Sequence, residues 1–136
     1  MGRIIAIDYG KVRTGIAVTD IQKLIAGGLQ TLPSQEVIAF LKQYLETEPV
    51  DLILLGEPRQ MNYQPSENWD RVMKFKKQLQ NAFPNMEIKM IDERFTSSLA
   101  HRTMIAGGLK KKDRQNKALV DKVSATIILQ TYLETI

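Results

Sequence analysis

The chain opens with Arg3-Ile4-Ile5-Ala6-Ile7-Asp8-Tyr9-Gly10, and Thr14-Gly15-Ile16-Ala17-Val18-Thr19 follows after the turn Gly10-Lys11-Val12-Arg13. The first stretch is a nearly continuous apolar run, which is typical of a strand that is covered on both faces. The short spacing between the two stretches predicts a β-hairpin. An acidic residue, Asp8, therefore stands where the first strand ends.

Downstream of the hairpin, strand-like and helix-like patterns alternate. A third strand over residues 24–32 is interrupted by Gly27-Gly28, which predicts a bulge or bend. Helical spacing of apolar residues predicts one helix between Pro33 and Pro49 and another over residues 65–83. Strands are predicted at residues 52–55 and 86–91, a short helix from Thr96 to near Gly107, and a final helix over Lys117–Leu133. The predicted order is β-β-β-α-β-α-β-α-α.

Length and composition restrict the setting of the protein. A chain of 136 residues that is 43% hydrophobic is long enough for one ordinary core, so residues 1–136 are expected to form a single domain. The chain has no cysteine, which excludes disulfides and thiolate metal sites and fits a reducing compartment. No apolar stretch is long enough for a membrane span or a signal peptide, so we expect a soluble, cytoplasmic protein with no membrane partner.

The charge balance favours an acidic partner only where the bases are concentrated. The chain has 19 Lys and Arg residues against 15 Asp and Glu residues, for a formal net charge of +4. An excess of this size matters for binding a polyanion when it is localised.

Three acidic positions stand out because each lies at a structured place. Asp8 follows the first strand, Asp92-Glu93-Arg94 follows a later one, and Asp121 interrupts the apolar face of the final helix, where helical spacing groups it with Ala125. Carboxylates that crowd the edge of a core repel one another unless a cation lies among them. Hard oxygen ligands favour Mg²⁺ or Mn²⁺, so the pattern suggests a divalent metal site.

Each acid also has a simpler interpretation. Asp8-Tyr9-Gly10 is compatible with a strand end that enters a turn. Asp92 and Glu93 could form an ion pair with Arg94 or cap a helix. Asp121 is expected to face protein, where an unpaired carboxylate is costly, and a buried partner such as Arg94 would satisfy it as well as a metal would.

Three motifs in order resemble the YqgF family, also called RuvX, of the ribonuclease H-like superfamily. They are Ile7-Asp8-Tyr9-Gly10 with the Thr14-Gly15 strand, Asp92-Glu93-Arg94-Phe95-Thr96, and the stretch from Asp121 to Gln130. The resemblance covers essentially the whole chain. It implies an α/β fold with a mixed five-stranded sheet flanked by helices. It also implies a Holliday-junction-resolvase-like nuclease whose usual assigned role is processing the 5′ end of precursor 16S ribosomal RNA.

In this context we predict Asp8, Glu93 and Asp121 as the catalytic metal ligands. Two ions about 3.5–4 Å apart can activate a water and stabilise the leaving oxyanion in phosphodiester hydrolysis. No serine or histidine nucleophile is required, and the single histidine, His101, is most simply a helix-surface residue.

The chain departs from the family pattern after the fourth strand. Gly56-Glu57-Pro58 stands where the family usually has Gly-Leu-Pro, and the usual Asp-Gly of the following loop is replaced within Met61-Asn62-Tyr63-Gln64-Pro65. Resolvases of the RuvC type have a glutamate near that strand end in their acidic cluster. Glu57 is therefore either an additional ligand or a solvated loop charge, and we favour the loop charge.

Basic residues around the acids are expected to bind nucleic acid, either structured RNA or branched DNA. The densest group is Lys110-Lys111-Lys112-Asp113-Arg114, directly before the helix that carries Asp121. A mobile, solvated loop is the simpler interpretation of that run. No aromatic residues are interspersed with the bases, so contacts are expected to read the backbone and shape of the nucleic acid. The predicted binding residues are Lys11, Arg13, Arg59, Arg94, Lys110, Lys111, Lys112 and Arg114.

Two other function classes share parts of this pattern. Asp8-Tyr9-Gly10 followed by Thr14-Gly15 also resembles the first phosphate loop of actin-like ATPases and sugar kinases, but those proteins need a second half-molecule. A noncatalytic nucleic-acid-binding module is the other alternative, and the retention of all three acids argues against it. The choice between RNA and branched DNA, and between a monomer and a homodimer, stays open from the sequence.

Overall fold

The computed structural model describes residues 2–20, 22, 26–57, 69–92 and 117–133. Five strands, three α-helices and one 3₁₀ turn lie within these ranges. The strands are β1 (Arg3–Tyr9), β2 (Arg13–Thr19), β3 (Ala26–Pro33), β4 (Val50–Glu57) and β5 (Glu87–Asp92). The 3₁₀ turn is Ser34–Glu36, and the helices are α1 (Val37–Thr47), α2 (Trp69–Ala82) and α3 (Lys117–Leu133).

The five strands form one mixed sheet in the order β3-β2-β1-β4-β5. Strand β1 pairs antiparallel with β2, and β2 pairs antiparallel with β3. On its other side β1 pairs parallel with β4, which pairs parallel with β5. The predicted hairpin and the predicted mixed five-stranded sheet are therefore confirmed.

Both faces of the sheet are covered, which explains the continuous apolar run of β1. Ile5 and Ile7 belong to a core cluster with residues of α1 and α2, whereas Ile4 and Ala6 belong to a second cluster with residues of α3. Successive side chains of a strand point to opposite faces, so a strand between two helix layers needs apolar residues at every position. We call these the α1–α2 face and the α3 face of the sheet.

Helix α2 shows how a single apolar stripe attaches a helix to the sheet. Val72, Phe75 and Leu79 recur at helical spacing and are all buried, while most of the other helix positions are polar. The Phe75 ring stacks on the Tyr9 ring with a centroid separation of 4.0 Å. Full burial of a side chain of this size contributes roughly 1.5–3 kcal/mol, so this stripe accounts for the attachment of α2.

The predicted irregularity at Gly27-Gly28 is confirmed by the pairing of β2 with β3. Ile16 pairs with Gln30 and the next residue, Ala17, pairs with Gly28, so Leu29 is the extra residue of a bulge.

The first helix starts later than the sequence predicts. Pro33 ends β3, and a 3₁₀ turn over Ser34–Glu36 precedes α1, which begins at Val37. The physical reason lies in Ser34, whose backbone N–H donates a hydrogen bond to the Val12 carbonyl in the β1–β2 turn at 3.0 Å. Strand β4 is also longer than predicted, because its pairing with β5 continues as far as Glu57 and Asp92.

Several predicted elements lie outside the described residues. These are the loop after β4, the beginning of the second helix at residues 65–68, and the short helix from Thr96 to near Gly107. Within the described part of the chain, no helix combines the length and apolar character that a membrane crossing requires.

Candidate metal and nucleic-acid site

Asp8 lies near the carboxyl end of β1 and is half-buried. Ile4 and Ala6 pack against α3, and side chains alternate along a strand, so Asp8 lies on the same face of the sheet as these two residues. The carboxylate is thus positioned by the central strand of the sheet, on the α3 face.

Two glycines flank Asp8 on the neighbouring strands. Asp8 pairs directly with Gly15 of β2, and the parallel pairing of Ile7 with Leu55 makes Gly56 the next residue of β4 beside Asp8. Both glycines are buried. Residues directly opposite each other in a sheet normally place their side chains in contact. Here neither of the two neighbouring positions adds a side chain beside the carboxylate.

The strand that precedes the second acidic motif ends at the same edge of the sheet. Strands β1, β4 and β5 are mutually parallel, and Glu57 pairs with Asp92 at the ends of β4 and β5. The carboxyl ends of all three strands therefore share one edge. Glu93 and Arg94, which follow directly, lie outside the described residues.

Asp121 lies within α3, one turn before Ala125 and two turns before Ile128. Both of these residues are buried against the sheet, and Ser124 is buried as well. Helical spacing therefore assigns position 121 to the same row of α3 as Ala125 and Ile128. The structure describes the backbone of Asp121 and not its side chain.

The convergence of the three acids stays a prediction. Among the side chains that the structure describes, no three acidic or histidine residues form a group that could hold a metal ion. Two of the three predicted ligands, Glu93 and the side chain of Asp121, are not among them. The described part of the chain places Asp8, the strand that precedes Glu93, and the helix that contains position 121.

Two predicted nucleic-acid-binding residues lie close to Asp8. Arg13 is half-buried and stands two residues from Gly15 on β2, so it shares the face of Asp8 and is its diagonal neighbour. Diagonal neighbours in an antiparallel pair are about 7–8 Å apart. Lys11 is exposed in the turn between the strands. The other predicted binding residues lie outside the described part: Arg59, Arg94, Lys110, Lys111, Lys112 and Arg114.

A buried pair of hydroxyl groups fixes the turn that carries these bases. The Ser34 hydroxyl donates a hydrogen bond to the Gly10 carbonyl at 2.5 Å and lies 2.8 Å from the Thr14 hydroxyl. Because Ser34 has one hydroxyl proton, Thr14 must be the donor between the two hydroxyls. Thr14 is fully buried and Ser34 nearly so. The helical pattern that follows Pro33 does not predict this contact.

Comparison with known proteins agrees with these observations. The family model described as "RuvX: Holliday junction resolvase" matches residues 2–135. A protein of Phocaeicola vulgatus named "Putative pre-16S rRNA nuclease" is 57% identical over 135 residues, which cover 99% of this chain and 97% of that protein. A protein of Flavobacterium psychrophilum with the same name is 57% identical over 133 residues, covering 98% of this chain and 97% of that one.

Two solved structures share the fold at low sequence identity. RuvC of T. thermophilus, solved in complex with a Holliday junction substrate, matches with a TM-score of 0.61 and 14% identity over 99% of this chain and 96% of that chain. The fowlpox virus Holliday junction resolvase matches with a TM-score of 0.54 and 14% identity over 98% and 99% of the two chains. The fold is therefore ribonuclease H-like. Because the family model matches residues 2–135 and relatives exceed 50% identity over nearly the whole chain, the chain belongs to the RuvX family.

Proposed function

We propose that this protein is a metal-dependent nuclease that hydrolyses phosphodiester bonds at the 5′ end of precursor 16S ribosomal RNA. The observation that carries the proposal is the placement of Asp8 between Gly15 and Gly56 at the carboxyl end of the central strands. A half-buried carboxylate at the sheet edge, flanked by two residues without side chains, is suited to bind a cation and the phosphate that the cation holds. The names of the relatives from Phocaeicola vulgatus and Flavobacterium psychrophilum support the choice of RNA substrate.

We propose Asp8, Glu93 and Asp121 as the residues that would hold the ions. The alternation along β5 favours Glu93 over Asp92. Lys89 donates a hydrogen bond to the Tyr132 hydroxyl of α3 at 3.3 Å, and Ile91 packs in the cluster of the α3 face. Odd-numbered positions of β5 therefore face α3, the face on which Asp8 lies. This alternation is the reason to prefer position 93.

The three carboxylates provide only oxygen ligands, which suit Mg²⁺ or Mn²⁺. When bound, these ions supply an activated water and stabilise the charge on the leaving oxygen. The protein's part is to hold the ligands on a rigid sheet and helix. Arg13, on the face of Asp8, would balance the charge of the substrate phosphate beside the acidic ligands.

We leave Glu57 out of the proposed ligand set. Strand β4 alternates between Ile53 and Leu55 on the α1–α2 face and Leu52 and Leu54 on the α3 face. Gly56 continues the α3 series beside Asp8, which favours the opposite face for position 57. We therefore expect that E57Q retains activity.

The direct test uses the purified chain with Mg²⁺ or Mn²⁺ and two substrates of matched length. One is a 16S precursor RNA with its 5′ extension, and the other is a four-way DNA junction. Cleavage of the RNA in the presence of metal, and its loss in EDTA, is the expected result. Cleavage of the junction alone would support a resolvase instead, which the family description favours as the second candidate. Binding of either substrate without cleavage would overturn the enzyme assignment.

A further inference from the structure

The tip of the β1–β2 turn presents an apolar side chain next to a base. Val12 is 66% exposed, and Lys11 beside it is exposed as well. Together with Pro33, Ser34 and Gln35 they line a shallow depression of about 300 Å³. None of these five residues is acidic. The depression therefore combines an apolar wall with a positive charge.

The tip is held more firmly than an ordinary exposed turn. Ser34 binds it twice, through its N–H to the Val12 carbonyl and through its hydroxyl to the Gly10 carbonyl, and Thr14 supports the Ser34 hydroxyl. Gly10 adds a further constraint, because a Cβ at that position would collide with the Arg13 carbonyl oxygen. A single exposed valine needs no explanation by itself. A valine on a tip that is fixed by buried hydroxyl groups is presented in a defined position.

The depression also lies close to Asp8 along the chain. Lys11 is the third residue after Asp8 along the chain, so their Cα atoms are at most about 11 Å apart. Along a duplex, successive nucleotides of one strand are about 3.4 Å apart. A substrate whose phosphate lies at Asp8 would thus reach this tip within about three nucleotides.

We propose that this depression is a binding subsite for the substrate strand next to the cleaved phosphodiester. Lys11 binds a phosphate, and Val12 and Pro33 pack against the adjacent sugar or base. Ser34 acts as a positioning residue that keeps the tip in place. The inference rests on the proposed nuclease function and adds to it an apolar contact that the basic residues alone do not provide.

The test measures equilibrium binding of a labelled precursor RNA by fluorescence anisotropy, in a D8N background that prevents turnover. V12A is expected to weaken binding roughly three- to tenfold without changing the salt dependence, because it removes apolar contact area and no charge. K11A is expected to weaken binding and lower the log–log salt slope by about one. K42A is the matched control, since Lys42 is an exposed lysine of α1 that does not line the depression.

The outcomes separate this inference from the proposed function. If the D8N parent binds RNA and both V12A and K11A bind equally well, the subsite is wrong while the nuclease assignment stands. If V12A changes the sedimentation coefficient and leaves RNA affinity unchanged, Val12 contacts a second copy of the chain and the inference is overturned. If the D8N parent binds neither RNA nor branched DNA, the proposed function fails and the subsite fails with it.

Discussion

Asp8 of β1 lies directly opposite Gly15 of β2 in the antiparallel pair, with Arg13 as its diagonal neighbour on that strand. On the other side, Gly56 follows Leu55, the partner of Ile7, and so lies beside Asp8 on β4. In a sheet whose central positions are filled by Ile, Leu and Ala, two buried glycines flank this carboxylate and add no side chain beside it. The two glycines, and not the acid alone, distinguish this strand end from an ordinary turn.

A side chain placed directly beside Asp8 should abolish hydrolysis. We expect G15V to lower the rate of precursor RNA cleavage by at least about 100-fold, because the new side chain stands directly beside Asp8 and displaces whatever binds there. Single-turnover cleavage is the measurement, with circular dichroism to verify folding. G27A is the control, since a Cβ at Gly27 meets no atom within 4 Å. Equal rates for G15V and the wild type would show that the position opposite Asp8 is not part of the site.

Removal of the Ser34 hydroxyl should destabilise the protein. In S34A the buried Thr14 hydroxyl loses its acceptor and the Gly10 carbonyl loses its donor. Leaving buried polar groups unsatisfied costs about 1–3 kcal/mol in the free energy of unfolding. Urea denaturation measures this change. T47A removes an exposed hydroxyl bond of 3.3 Å to the Tyr44 carbonyl and should change the unfolding free energy by less than about 0.5 kcal/mol. Similar losses of unfolding free energy in S34A and T47A would contradict the role of the Ser34 hydroxyl in fixing the turn.

The basic run before α3 should contribute to nucleic-acid affinity through charge. Replacement of Lys110, Lys111 and Lys112 by alanine is expected to weaken RNA binding and flatten its salt dependence. Each lost phosphate contact should remove roughly one unit from the log–log slope. The measurement is RNA affinity between about 50 and 200 mM salt. A slope identical to that of the wild type would show that this run does not contact phosphate.

Stability at alkaline pH should depend on Tyr44. Burial raises the pKa of this phenol above its ordinary value of 10.0, with Arg3 acting in the opposite direction and Glu48 in the same direction. Because the folded pKa is the higher one, the stabilising contribution is fully present below about pH 10 and is lost as pH rises through the folded pKa. We expect Y44F to show a shallower fall in unfolding free energy as the pH rises above about 10. An equally steep fall in both proteins would contradict this linkage.

Most of the fold could be predicted because its causes are local. The continuous apolar run of β1 predicted a strand between two helix layers, and the Gly27-Gly28 pair predicted the β3 bulge. Helical spacing of apolar residues predicted the second helix, and Val72, Phe75 and Leu79 of α2 are buried. In each case the pattern follows directly from strand or helix periodicity and the need to bury apolar surface.

The site could be predicted only in part, because its geometry depends on strand register. Asp8 was identified from its place at a strand end, but its position between Gly15 and Gly56 follows from pairings that no local pattern specifies. Ser34 was missed for a similar reason. Its partners, Gly10, Val12 and Thr14, lie between 20 and 24 residues earlier in the chain. They meet Ser34 only through the pairing of β2 with β3.

The most direct test of the central claim compares the wild type with D8N, which is nearly isosteric and removes one negative charge from the proposed metal site. With Mg²⁺ or Mn²⁺, hydrolysis of precursor RNA should collapse in D8N while RNA affinity is kept or improved, because repulsion of phosphate falls. Folding should survive, and thermal stability in metal-free buffer is expected to stay equal or rise, since a carboxylate cluster without its ion is self-repulsive. The account of Asp8 as a metal ligand is contradicted if the wild type cleaves neither RNA nor branched DNA with either metal, and if D8N has the same RNA affinity and thermal stability as the wild type.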